Sequence, residues 1–125
     1  MTLINLVALA SGGLVGTLLR YKVVETPLFF SQIKLNVIVV NILGSLIAGI
    51  FFALTKRYNL NIQYGLLILY GFCGAFTTMS SCVLETVVLI EEKNWLLGSA
   101  YLSLNVFLSL GAVWFGIVLT SRSLS

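Results

Sequence analysis

Histidine is absent from this chain of 125 residues, cysteine occurs twice, proline once, and only 9% of the residues are charged. Each shortage removes a class of function. Without histidine and without a cluster of carboxylates, nucleophilic or metal-assisted catalysis has little to work with, so an enzyme is not expected. Cys73 and Cys82 lack the Cys-x-x-Cys spacing of a zinc or redox site and supply no disulfide framework. Both read as small packing residues. The one proline, Pro27, falls in a connection between apolar runs.

What the chain does have is apolar surface: 59% of its residues are hydrophobic and its mean hydropathy is +1.08, too greasy for a soluble domain. Apolar stretches run over about Leu3–Leu19, Leu35–Leu54, Tyr64–Ile90 and Trp95–Thr120. A hydrocarbon core of about 30 Å takes about 20 helical residues, so each stretch reads as a membrane-spanning helix. The first has no basic n-region or Ala-x-Ala-like cleavage site and is expected to be retained rather than removed as a signal peptide. The connections Lys22–Lys34, Lys56–Gln63 and Glu91–Asn94 are short. The expectation is one four-helix transmembrane domain over residues 1–125, all-α, acting within the lipid bilayer and without a nucleic-acid partner.

Positive charge does not declare an orientation. Lys56, Arg57 and Arg122 share the side of Met1, whereas Arg20, Lys22, Lys34 and Lys93 lie opposite, so the positive-inside bias is close to zero. A chain that inserts both ways naturally yields an antiparallel homodimer with a two-fold axis in the membrane plane. The alternative is a weak bias resolved by the cell.

Small residues on the first two helices, Gly12-x-x-x-Gly16, Gly44-x-x-x-Ala48 and Ser45-x-x-x-Gly49, predict closely approaching backbones. Polar residues in the spans are more telling. Asn41, about halfway along the second, needs a partner: either a neighbouring helix or a permeating anion. Tyr101, Asn105 and Ser109 recur every four residues on one face of the last helix. They form either a track that replaces an ion's hydration shell stepwise, or groups that satisfy themselves locally. Glu85 should face the bundle interior or a watery vestibule, because a lone intramembrane carboxylate costs about 2.5–3.5 kcal/mol on insertion scales. Arg20 closes the first helix, where its default role is to reach the headgroup level.

The third stretch is interrupted by Gly71-Phe72-Cys73-Gly74-Ala75-Phe76-Thr77-Thr78-Met79-Ser80-Ser81-Cys82, rich in small and hydroxyl residues. This pattern predicts a broken helix. Non-helical backbone at bilayer depth is tolerated only where protein buries it or a polar cavity solvates it, so an ion is expected nearby. Carbonyls suit a hard cation; hydroxyls and N–H groups suit an anion. Gly74, Thr77, Thr78, Ser80 and Ser81 can serve both. In an antiparallel dimer, carbonyls of both chains could cage one cation without a carboxylate.

These residues, in this order, resemble the small fluoride channels of the Fluc/CrcB type. The pieces are Gly12-Gly13-x-x-Gly16-x-x-x-Arg20-Tyr21, Val40-Asn41-x-x-Gly44-Ser45-x-x-x-Gly49 and Gly71-Phe72-Cys73-Gly74-x-x-Thr77-Thr78-x-Ser80-x-x-x-x-Glu85. The resemblance implies a passive channel exporting fluoride across the cell inner (plasma) membrane, built as a dual-topology antiparallel homodimer with a structural sodium ion at its centre. It implies that the Gly74 and Thr77 carbonyls hold the sodium, that Arg20 stands at the pore entrance and that Glu85 belongs to a vestibule. Pore residues would be Asn41, Met79, Ser80, Ser81, Cys82, Tyr101, Asn105 and Ser109.

The chain departs from that pattern in two places. Met79 and Cys82 stand where the family has its pore phenylalanines, whose partly positive ring edges contact an anion better than sulfur does. Asn36-Val37 replaces the family's Gly-Thr ahead of the pore asparagine. Three readings follow: conduction with softer stand-ins, slow or absent conduction alone, or a heterodimer whose partner supplies the rings. Rival classes are a small proton-coupled multidrug exporter, in which Glu85 would carry the proton, and a purely structural membrane subunit.

Overall fold

A computed structural model of the chain describes residues 1–30 and 33–123, with the side chain of Phe30 left aside. Residues 31–32 of the first connection and 124–125 of the tail lie outside the described residues. Helix α1 covers Leu3–Glu25, α2 Leu35–Tyr58 and α6 Trp95–Ser123. The third span is composite. A short α3, Ile62–Gly65, passes into a π-helical stretch, Leu66–Cys73, then α4, Gly74–Phe76, and after two residues α5, Met79–Glu91. Four helical spans, Leu3–Glu25, Leu35–Tyr58, Ile62–Glu91 and Trp95–Ser123, are long and apolar enough to cross a membrane. The chain is an all-helical, multi-pass membrane protein.

The ends of these helices follow from local chemistry. Thr2 caps α1 by accepting from the Asn5 N–H at 3.4 Å. α1 runs past Leu19 to Glu25, further than apolar counting predicts, because charged residues end a hydrophobic run without ending a helix. Pro27 does end it, by forcing Thr26 into an extended conformation at φ −77° and ψ 118°. Beyond it, β1 (Phe29–Phe30) and β2 (Ile33–Lys34) form a small antiparallel hairpin, the one strand pair among the described residues. Asn36 ties this turn down, donating to the carbonyls of Val23 and Thr26 and accepting from the Leu28 N–H. α2 stops at Asn59, which takes the left-handed conformation (φ 48°) that asparagine tolerates.

Packing pairs α1 with the third span and α2 with α6. Within each pair the helices run parallel, and the two pairs run in opposite directions. Glycine makes both approaches possible. A Cβ on Gly12 would lie 2.0 Å from the Leu67 carbonyl oxygen, and one on Gly49 2.2 Å from that of Val113. A buried cluster of Val37, Ile38, Cys82, Leu89 and Tyr101 lies where α2, α5 and α6 meet. Large apolar side chains such as Leu14, Leu84, Phe107 and Trp114 remain exposed, as befits surfaces that meet lipid or another chain.

Candidate functional site

Between α4 and α5 the backbone leaves the helix for two residues, Thr77 (φ −80°, ψ 158°) and Thr78 (φ −150°, ψ 111°). The Thr77 carbonyl and both peptide groups of Thr78 are partnered by side chains of other helices. Asn41 of α2 accepts the Thr78 N–H on Oδ1 at 2.8 Å and donates through Nδ2 to the Thr78 carbonyl at 3.1 Å, so one amide replaces both bonds that a neighbouring peptide would make. Its second Nδ2 hydrogen goes to Asn105 Oδ1 at 2.9 Å, and Asn105 Nδ2 donates to the Tyr101 carbonyl at 3.2 Å. Of the two roles that spacing left open for Asn41, the geometry is that of the clamp: both donors are engaged and the residue is buried.

α5 begins as an anion-friendly terminus. The Thr78 hydroxyl accepts from the Ser81 N–H at 3.2 Å and meets the Ser80 and Ser81 hydroxyls at 3.2 and 3.0 Å. With 13 residues behind it, the helix directs its positive dipole end at this hydroxyl cluster. Arg20, at the end of the apolar run of α1, turns toward this site. Its Nη1 donates to the Thr77 carbonyl at 3.1 Å, so the guanidinium lies beside the interruption.

Three cavities share lining residues along this path. The first, about 190 Å³, is lined by Asn41, Ser45, Thr78, Met79, Asn105 and Ser109. The second, about 240 Å³, lies among Thr17, Arg20, Tyr21, Thr78, Ser80 and Ser81. The third, about 470 Å³, includes Lys34, Ser81, Glu85, Glu92 and Tyr101. Thr78 belongs to the first and second, Ser81 to the second and third. The Tyr101 hydroxyl, at the inner end of the third, donates to the Glu85 carboxylate.

The structure thus gathers Arg20, Asn41, Thr77, Thr78, Met79, Ser80, Ser81, Asn105 and Ser109 around one interruption, with Glu85 and Tyr101 one cavity beyond. Gly74 lies within α4 with its surface exposed. Cys82 is not in this gathering: it is fully buried in the core with Tyr101 and Leu89 and lines none of these three cavities. Sequence reasoning passed over Ser45, which read as a packing residue, and over Thr17 and Lys34, which carried no motif. A polar residue one turn after Asn41, on the same face of the same helix, is the signal that would have found Ser45.

The family described as CrcB-like protein, Camphor Resistance (CrcB), matches residues 7–117 of the chain. The chain belongs to that family. Similar proteins named "Fluoride-specific ion channel FluC" include one from Nitrosopumilus maritimus (strain SCM1), 41% identical over 98% of this chain and 97% of its own length. Another from Gloeothece citriformis (strain PCC 7424) is 35% identical over 89% and 92%, and one from Saccharophagus degradans (strain 2-40 / ATCC 43961 / DSM 17024) is 36% identical over 97% and 92%. Membership puts the chain among CrcB-like channel proteins and not among enzymes. It lends nothing to the proton-coupled exporter weighed from Glu85.

Proposed function

We propose that this chain forms a passive fluoride channel that lets the ion leave the cytoplasm across the plasma membrane. The observation that carries the reading is a set of three cavities beside the Thr77–Thr78 interruption that share Thr78 and Ser81 in their linings and are furnished with a guanidinium, three hydroxyls and a helix N-terminus. The names of the similar proteins point the same way. Fluoride is small and strongly hydrated, so a path must replace water with hydrogen-bond donors at each step. Arg20 supplies the attracting charge, the hydroxyls of Thr78, Ser80 and Ser81 the first donors, and the Asn105–Ser109 face the continuation. Asn41 holds the interruption open by satisfying Thr78 and leaves donation to the ion to others. Met79, beside Ser109 and Asn105, stands in for an aromatic edge and is the weakest anion contact on the route.

Two finer features belong to the same proposal. One is that the interruption lies near the bilayer midplane of an antiparallel, dual-topology dimer. The nearly balanced distribution of Lys and Arg, three on one side and four on the other, supports this, as does the exposed apolar surface. The other is a structural sodium ion at the dimer centre. The donor chemistry fits such an ion. In a continuing helix the Gly74 carbonyl would accept from the Thr78 N–H, which here serves Asn41 instead, so that carbonyl is released. The Thr77 carbonyl, with two lone pairs, uses one on Arg20. Two such oxygens from each of two copies would make an uncharged oxygen cage for a hard cation.

Growth tests this function directly. Expression in a bacterium stripped of its own fluoride exporter should restore growth in millimolar fluoride, and Ser80→Ala with Ser81→Ala should lose most of that protection. Unchanged sensitivity on expression of the intact, membrane-inserted protein would refute the proposal.

A further inference from the structure

The net charge of +3 is carried by one end of the molecule. The parallel helices α2 and α6 finish together, with Lys56, Arg57 and Arg122 in their last turns. Elsewhere in the chain Arg20, Lys22, Lys34 and Lys93 are matched in number by Glu25, Glu85, Glu91 and Glu92. Counting Lys and Arg alone hides this asymmetry, because orientation rules give acids little weight.

Basic residues at helix C-termini suit the helix dipole and need no ligand by themselves. Here they also line a cleft. Between the ends of α2 and α6 is a space of about 380 Å³ bordered by Phe52, Lys56, Arg57, Ile117, Thr120 and Ser121. Its bilayer side is apolar, through Phe52 and Ile117, and its aqueous side carries two cations and two hydroxyls. Lys56 does not reach away into water: its Nζ lies 4.9 Å from the centroid of the Phe52 ring, folded over the cleft. The buried Thr120 hydroxyl is committed to the Gly116 carbonyl at 2.9 Å, so the exposed Ser121 hydroxyl is the donor at the rim. Tyr58, exposed at the end of α2, marks the level at which aromatic residues meet the headgroups.

We propose that this cleft binds an anionic phospholipid, with the phosphate between Lys56, Arg57 and Ser121 and an acyl chain along Phe52 and Ile117. A diacyl lipid is the occupant that matches both halves. A free oxyanion would leave the apolar half bare, and a zwitterionic lipid would bring its own cation to a site that already has two.

Native mass spectrometry of the purified chain in maltoside detergent tests this, with phosphatidylglycerol and phosphatidylcholine titrated separately. Phosphatidylglycerol should be retained more tightly, and Lys56→Gln with Arg57→Gln should weaken it about 30-fold, about 5-fold for each charge near an anionic lipid surface. Lys22→Gln with Lys93→Gln, both outside the cleft, should leave the binding unchanged. Equal retention of the two lipids by the unmodified chain would overturn the proposal, as would displacement of phosphatidylglycerol by inorganic phosphate at comparable concentration. These two comparisons need no variant, so they decide the matter even if the double substitution fails to fold.

Discussion

Asn41 is the residue on which the local architecture turns. Its amide meets the backbone of Thr78 in both directions, and no backbone group in the third span could do so from where the chain leaves the helix. Replacing it with leucine keeps the volume and strands two buried peptide groups, at about 1–3 kcal/mol each. The expected outcome is a melting temperature in detergent well below that of the unmodified protein, whereas Ser109→Ala leaves it nearly unchanged; fluorescence-monitored thermal unfolding reads both. Equal melting for Asn41→Leu and the parent would show that the clamp carries no load. Met79 and Cys82 separate at the same scale. Met79 is 56% exposed and Cys82 is fully buried, so Met79→Phe should be absorbed while Cys82→Phe overpacks the core at a cost of about 1–3 kcal/mol. A test that restores both family phenylalanines together therefore confounds pore chemistry with stability, and Met79→Phe alone is the cleaner variant.

Elements were legible in the sequence to the extent that hydrophobic length alone decides them. Four apolar stretches became four spans because a helix is the economical way to satisfy a peptide backbone in hydrocarbon. The glycine stripe on the first helix was legible for the same kind of reason: Gly12 and Gly16 meet the third span at backbone distance. Gly12→Val should prevent that approach and lower thermal stability markedly, while Gly13→Ala, whose added Cβ would meet nothing within 4 Å in the chain, should not; size-exclusion recovery after heating distinguishes them. What the sequence did not carry was phase. The π-helical winding of Leu66–Cys73 and the two extended threonines rotate everything after them. A residue-by-residue pattern therefore cannot tell which face of α5 turns toward α2 and α6. Arg20 hides its contact with the interruption for a related reason. Its position near a helix end is visible in sequence, but the Thr77 carbonyl 57 residues away is not.

At the scale of the whole molecule, the chain places an interrupted helix inside a bundle with few charges. The interruption is serviced by amides, hydroxyls and one guanidinium instead of by carboxylates, which makes its surroundings receptive to an anion. Abundant exposed apolar surface befits a small chain whose spans meet lipid or another chain. The account rests on one claim, that this chain alone conducts fluoride past Met79. A fluoride-selective electrode recording efflux from liposomes that contain only the purified chain measures it. The account predicts fluoride release well above that of protein-free vesicles, and no comparable chloride release under the same gradient. Fluoride retained as completely as in empty vesicles, both for the parent and for well-folded Met79→Phe, would contradict it.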